Sequence, residues 1–184
     1  MDVVNEPLPG VLELQARVFE DSRGSFSETF NRRTMAGFGI DVEFVQDNES
    51  YSARRGTVRG LHLQTEPHAQ GKLVRVLRGA VHDVAIDIRP ASPTFRQHTS
   101  IQLAEGDRRA FWIPAGFAHG FCTLADDTVV TYKVTDFYAP ETERSIRFDD
   151  PDLAIGWPVE SGDAVLSDKD AAAQSFADFL KEMA

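Results

Sequence analysis

From residue 11 onward the chain alternates apolar and polar side chains with a period of two, the spacing of strands that bury one face. In "VLELQARVF", Leu12, Leu14, Ala16 and Val18 fall on one side, with Glu13, Gln15 and Arg17 on the other. "DSRG" reads as a turn, after which "SFSETF" resumes the alternation with Phe26, Glu28 and Phe30 together. "NRRTMAGFG" predicts a short helix closed by Gly39. Further strands are predicted at close spacing in "VEFVQDN", "GTVRGLHLQ", "KLVRVLRG", "AVHDVAIDIR", "TFRQHTSIQL", "AFWIPAGFAHGFCTL" and "TVVTYKVTDFY". Gly79 and "EGD" at 105–107 supply turns, and Pro114 bends the long apolar run, because proline cannot donate into a central ladder. Many short strands between turn signals predict an all-β sandwich or barrel. One C-terminal helix is predicted over "SDKDAAAQSFADFLKEM". Ser167 is its N-cap, Asp170 completes a capping box, and Ala172, Phe176, Phe179 and Leu180 form its apolar stripe.

Composition narrows the class. A length of 184 residues without a repeat or linker favours a single domain over 1–184. Hydrophobic residues at 42% and charged residues at 26% indicate neither disorder nor a coiled coil. No apolar run approaches the roughly 18 residues of a membrane helix, and "MDVVNEPLPG" lacks the basic start and apolar centre of a signal peptide. A cytoplasmic protein without a membrane partner is therefore expected. The single cysteine, Cys122, excludes an internal disulfide and a multi-cysteine metal site, and is expected to be a small core residue. A net charge of −10 excludes a broad basic footprint for nucleic acid. An anionic small molecule would need arginine and lysine gathered locally against that field.

Candidate chemistry centres on "TVRGLHLQ". Alternation puts Val58, Gly60, His62 and Gln64 on one face and Thr57, Arg59, Leu61 and Leu63 on the other. Gly60 would then leave space for a ligand beside the imidazole. A lone strand histidine also fits a satisfied structural role, and a lysine such as Lys72 at a strand start fits a solvated one, although Lys72 shares a face with Val74 and Val76. His119, inside the apolar "WIPAGFAHGF", needs a partner if buried. Tyr132 and Tyr138 are either core tyrosines with satisfied hydroxyls or functional groups. First-row metals in such barrels commonly take two or three imidazoles and a carboxylate, often beginning with His-x-His. Here His62 is followed by Gln64 and no other histidine pair has that spacing, so no metal ligands are expected.

Without a metal, the chemistry open to such a histidine is proton transfer, with a carboxylate to orient the ring. An enolate formed beside it needs a cationic or hydrogen-bonding partner, for which Lys72 is suitable, and a tyrosine on the opposite face could return a proton. Those parts describe an epimerase acting next to a ketone.

An ordered series of motifs carries a family resemblance: "DSRGSFSETFN", "VEFVQDNES", "RGLHLQ", "AQGKLVRVLRGAVHDVAIDIR", "SPTF", "WIPAGFAHGF", "YKVTDFYAPETERSIRFDDPDLAIGWP" and "LSDKDA". Across nearly its whole length the chain resembles the dTDP-4-dehydrorhamnose 3,5-epimerases, RmlC-type sugar-nucleotide epimerases of the cupin superfamily. The resemblance implies a cupin-type jelly-roll barrel, a homodimer with strand exchange, and no cofactor or metal. The implied substrate is dTDP-4-dehydro-6-deoxy-D-glucose. It further implies that His62 is the base, Asp170 its partner, Lys72 the enolate stabiliser and Tyr132 the acid on the other face. Tyr138 corresponds to an aromatic position lining the sugar site. Arg23, Phe26, Glu28, Gln46, Asn48 and Arg59 are implied nucleotide and sugar contacts, joined by His119, Glu143 and Lys169. Guanidinium groups in that set suit a diphosphate, which they grip as a fixed fork. Many relatives read "RGLHYQ" where this chain has Leu63, a side chain expected to point away from the His62 face. Enzymes that epimerise only C3 or only C5 share these motifs, so a single-centre epimerase, a ketoisomerase and a non-catalytic sugar-nucleotide-binding cupin stand as alternatives.

Overall fold

A computed structural model describes residues 1–183. In chain order its elements begin with β1 (Asp2–Leu8), β2 (Val11–Gln15), β3 (Phe19–Asp21), β4 (Gly24–Phe26), α1 (Arg32–Gly37), β5 (Gln46–Ser52), β6 (Val58–Gln64) and β7 (Lys72–Arg78). There follow β8 (Ala80–Asp87), β9 (His98–Ala104), β10 (Arg109–Ile113), β11 (Phe117–Thr123), β12 (Thr128–Val134), β13 (Glu143–Ser145), α2 (Asp168–Ala171) and α3 (Phe176–Glu182). A six-stranded sheet in the order β1-β2-β10-β7-β12-β5 faces a five-stranded sheet in the order β13-β6-β11-β8-β9. The pairings within both sheets are antiparallel, and the all-β cupin sandwich expected from the sequence is the observed architecture.

Three apolar layers hold the sandwich. Between the sheets, Val11, Val74, Phe111 and Val130 of the first meet Val81, Leu103, Phe117 and Phe121 of the second. Behind the second sheet, Leu61, Leu63, Val84 and Ile86 pack on Ile146, Phe176 and Phe179. Behind the first, Leu12, Leu14, Leu73 and Trp112 pack on Met35 and Ile40. Strands covered on both faces read as apolar runs, as "DVAID" does in β8. Phe176 and Phe179 are completely buried, and each contributes roughly 1.5–3 kcal/mol by leaving water. No helix among the described residues is long and apolar enough to cross a membrane.

Several sequence expectations shift in the structure. The strand β1 was invisible to periodicity because most of its side chains are exposed and it has no buried face to mark. "SFSETF" is extended only to Phe26, and "VEFVQDN" becomes strand only at Gln46, because Val42 and Phe44 turn instead onto the layer around Met35. "TFRQHTSIQL" likewise begins its strand at His98, since Thr94 is drawn into a loop hydrogen-bonded to Asp87 at 2.6 Å. The long apolar run divides at Pro114 into β10 and β11, as its proline foretold.

The terminal helix is two helices. Between them the Gln174 carbonyl accepts from the Arg147 N–H at 2.9 Å, a strand-like contact that pulls the chain out of helix. Helix α3 then restarts with its own N-cap, Ser175, while Asp150 accepts the Phe176 N–H at 2.9 Å. What this break achieves is to place Asp170 on a separate turn capped by Ser167.

Candidate active site

The site begins with an irregularity in one strand pair. Across β6 and β11, His62 is opposite His119 and Arg59 is opposite Phe121, so three steps on β6 match two on β11. One extra residue is a β-bulge, and beyond it every side chain of β6 changes face. Arg59 therefore joins His62 and Gln64 on the inner face, whereas strict alternation placed it opposite them. Leu61 and Leu63 point into the apolar layer behind, as expected for Leu63.

Gly60 makes the bulge possible but leaves no room for a ligand. Its φ is +118°, and a Cβ there would lie 2.7 Å from both the Gly120 Cα and the His119 carbonyl oxygen. Neighbouring backbone, rather than ligand space, occupies that volume.

Two adjoining cavities of about 340 and 210 Å³ share His62, Lys72 and Tyr132 as walls. The larger is completed by Gln46, Asn48, Leu63, Gln64, Gln70, Tyr138 and Glu143. Ser50, Arg59, His119, Phe121, Ser167 and Asp170 complete the smaller. His62 comes from the five-stranded sheet and Tyr132 from the six-stranded one, so they meet a bound molecule from opposite sides. Such an opposition is what inversion at carbon requires.

His62 Nε2 lies 2.5 Å from Asp170 Oδ1. Asp170 is held in turn by Ser167, whose hydroxyl donates to its Oδ2 at 2.9 Å and accepts its N–H at 3.1 Å. Burial opposes ionisation of Asp170, but the hydrogen bond and charge of His62, with help from Ser167 and Lys169, outweigh it and hold the carboxyl below its usual range. An ionised Asp170 accepts from the Nε2–H, which leaves Nδ1 as the basic nitrogen.

Lys72 is buried, which corrects the solvated reading of a strand-end lysine. Its Nζ donates to the His62 carbonyl at 3.4 Å. Burial lowers its pKa to about 8, against the opposing pull of Asp83 and Glu143. Below that pH it is a desolvated ammonium facing the cavity.

His119 Nε2–H donates to Asp83 Oδ1 at 2.8 Å, and both residues are buried. Burial pushes the imidazole below its ordinary pKa despite Asp83, and the charges of Lys72 and His62 push it further down. Tyr132 is raised, chiefly by burial; Arg59 opposes this and Glu143 adds to it, so the phenol keeps its proton.

Around this centre, Arg59 donates to the Ser52 hydroxyl at 3.1 Å and the Tyr51 carbonyl at 2.8 Å. Gln46 donates to Asn48 at 2.8 Å, and the Tyr138 hydroxyl donates to Glu143 at 2.9 Å. Lys169, which does not line the cavity, reaches it through a 2.5 Å ion pair with Glu143.

Three candidates lie elsewhere. Arg23 is exposed and paired with Asp21 at 2.6 Å, Phe26 is 69% exposed, and Glu28 accepts from Asn31 at 3.0 Å. None lines either cavity. Conversely, Asp83, Gln64, Gln70, Ser50, Phe121 and Ser167 escaped sequence reasoning as site residues. Asp83 left a trace, being a carboxylate among the apolar residues of "AVHDVAIDI".

Facing antiparallel sheets around a cavity with a histidine–carboxylate pair, a buried ammonium and a phenol define a cupin sandwich equipped for acid–base chemistry. Among the described residues, no three or more His, Cys, Asp or Glu side chains gather as a metal-binding group. A family model described as dTDP-4-dehydrorhamnose 3,5-epimerase matches residues 5–178, and the chain belongs to that family of isomerases. The dTDP-4-dehydrorhamnose 3,5-epimerase of Shigella flexneri is 48% identical over 179 residues, covering 97% of each chain. A crystal structure of the Bacillus anthracis epimerase, with TDP and PPi bound, superposes with a TM-score of 0.92 at 43% identity, covering 95% of this chain and 99% of that one. The Legionella pneumophila enzyme, in complex with dTDP-4-keto-L-rhamnose, gives 0.89 at 45% identity, covering 95% and 92%.

Proposed function

We propose that this chain inverts C3 and C5 of dTDP-4-dehydro-6-deoxy-D-glucose, giving dTDP-4-dehydro-β-L-rhamnose for dTDP-L-rhamnose biosynthesis. The observation that carries the chemistry is the 2.5 Å His62–Asp170 contact in a cavity shared with Lys72 and Tyr132. The C4 carbonyl acidifies the C–H bonds on both sides of it, so the substrate itself supplies the electron sink and no cofactor or metal is needed. His62, oriented by Asp170, removes the proton as general base. Negative charge moves to O4, where the Lys72 ammonium stabilises it in a site removed from water. Tyr132, kept protonated by burial, delivers a proton from the opposite sheet and inverts the centre. The imidazolium then loses its proton to solvent and the Tyr132 phenolate regains one, and with base and acid restored the same sequence at the second carbon completes the reaction.

Arg59 is assigned to the diphosphate. Gln46, Asn48, His119, Tyr138, Glu143 and, through Glu143, Lys169 are assigned to sugar and nucleotide. Arg23, Phe26 and Glu28 are assigned to the site of a second copy, in a homodimer with strand exchange. Supporting this, Phe19 and Phe26 are 60% and 69% exposed on the β3–β4 hairpin, an apolar pair suited to a subunit contact. A stable monomer in sedimentation at working concentration would contradict the dimer. The chain is taken as one catalytic domain over 1–184 and as a cytoplasmic protein. Cys122, buried with its thiol pKa pushed up to about 11, has the character of an inert core residue.

Incubation with the 4-keto sugar nucleotide in deuterated water, followed by NMR, tests the proposal. Deuterium at C3 and C5, abolished in His62→Ala, is expected. Label at one carbon would reduce the reading to a single-centre epimerase, and label at neither would overturn it in favour of a binding protein.

A further inference from the structure

Gln64 stands two residues beyond His62 on the same face of β6 and is 6% exposed. Its amide uses both donor hydrogens and its acceptor. The Nε2 group donates to the His68 carbonyl at 2.6 Å and the Phe137 carbonyl at 3.1 Å, while Oε1 accepts the Ala139 N–H at 2.9 Å. The peptide groups before and after Tyr138 are thus held by one side chain. The N–H of Tyr138 itself donates to Gln46 Oε1 at 3.2 Å. Gln46 belongs to β5 of the six-stranded sheet and Gln64 to the five-stranded sheet, so this segment is latched to both walls of the cavity.

The ring of Tyr138 lines the larger cavity yet is 57% exposed, so little packing fixes it. Hydrogen bonds do so instead. Its hydroxyl reaches Glu143, and Glu143 is the cross-strand partner of Gln64 in the β13–β6 pair. The strand that carries His62 therefore grips Tyr138 through its flanking backbone and, by way of β13, through its hydroxyl.

We propose that Gln64 is a positioning residue that sets Tyr138 over the sugar and so retains a singly epimerised sugar for its second exchange. This rests on the double epimerisation proposed above. A sugar inverted at one carbon has to move before its other C–H bond meets the same imidazole, and during that movement the aromatic wall at the cavity mouth opposes escape. Loosening the 137–139 segment lowers that wall without touching the imidazole, the ammonium or the Tyr132 phenol.

The test uses the full chain with Gln64→Met, similar in length but without the amide, and Gln64→Glu, which keeps the acceptor for Ala139 but turns a carboxylate against two carbonyls. Folding is checked by circular dichroism and thermal melting. The readout is the ratio of singly to doubly deuterated sugar released early in the reaction in deuterated water. The expected result is a severalfold rise in singly labelled product with kcat/KM lowered by up to ~10²-fold, the loss that a misplacement of about 1 Å can cause. Gln64→Glu should exceed Gln64→Met. A folded variant with the wild-type ratio overturns the inference, whatever its kcat/KM, because general loss of stability removes active enzyme without changing the partition. Should Gln64→Met not fold, Gln64→Asn, whose amide falls one methylene short, is judged by the same ratio. Wild-type enzyme that labels neither carbon, or only one, would overturn the double epimerisation and this inference with it. Labelling of both carbons with an unaltered ratio in folded variants overturns the inference alone.

Discussion

His62 and His119 are cross-strand partners, and each ring contacts an aspartate, Asp170 at 2.5 Å and Asp83 at 2.8 Å. Their surroundings differ. The His62 side chain is 29% exposed, while that of His119 is 7% exposed and its Asp83 completely buried. Asp170 arrives from a capped turn far along the chain, with a serine on its second oxygen, whereas Asp83 rises from the adjacent strand with Oδ2 unpartnered among the described residues. One pair lies open to the cavity. The other is a buried hydrogen bond that keeps a neutral imidazole and a carboxylate next to Lys72. On the proposed reading, the same two residue types serve as a base in one pair and as a buried wall of the sugar site in the other, according to burial and to what shares the carboxylate.

The sharpest way to break that comparison is to remove each aspartate's charge. Asp170→Asn should lower kcat by roughly 10²–10⁴, the range for loss of an effective general base, with little change in KM, as steady-state kinetics would show. If Asp83→Asn cost as much at the pH optimum, the two pairs would not be distinct in role.

Stability should divide them in the opposite sense. His119→Ala leaves a buried carboxylate short of its donor and should lower unfolding free energy by about 1.5–3 kcal/mol in urea titration, more than His62→Ala at the cavity wall. The pair also predicts a pH dependence. The folded pKa of His119 lies below its ordinary 6.5, so the unfolded chain binds the extra proton first and stability falls as pH drops below about 6.5. His119→Gln should flatten that slope.

Lys72 makes a third distinction. Activity that needs its ammonium should decline as pH rises through about 8, while Tyr132, raised by burial, remains protonated there. Without the carboxylate of Asp83, which holds the proton on Lys72, that limb should move to lower pH in Asp83→Asn; an unmoved limb would detach Asp83 from Lys72. The stability sign is opposite. Because the folded pKa is depressed from 10.5 to about 8, stability rises with pH between those values. The smallest effect is expected from Ser167→Ala, which removes the N-cap and the second donor to Asp170. It should cost about 1 kcal/mol by thermal melting, with a severalfold loss of kcat.

Much of the fold and its site was legible because the signals are local. Strands with one buried face announced themselves by alternation, as in β2, and the serine cap ahead of Asp170 read as the start of a helical turn. Less local features were hidden. The exposed β1, the three-residue β13 and the break between α2 and α3 depend on partners distant in sequence. Strict alternation also misplaced Arg59, because a bulge is decided by the close approach of Gly60 and Gly120, and no single strand contains that information.

By itself, then, the sequence determined the class of fold, most of its strands and the motifs that carry His62, Lys72, Tyr132 and Asp170, since side-chain chemistry, periodicity and motif order are properties of the chain. Only tertiary structure decided that Lys72 is buried and Arg59 turned inward, that Asp83 lies against His119, and that the two amides of Gln46 and Gln64 latch the peptide groups around Tyr138. Burial and hydrogen-bond partnership are set by which segments meet in space. They are also what distinguish two histidine–aspartate pairs whose chemistry, residue by residue, is the same.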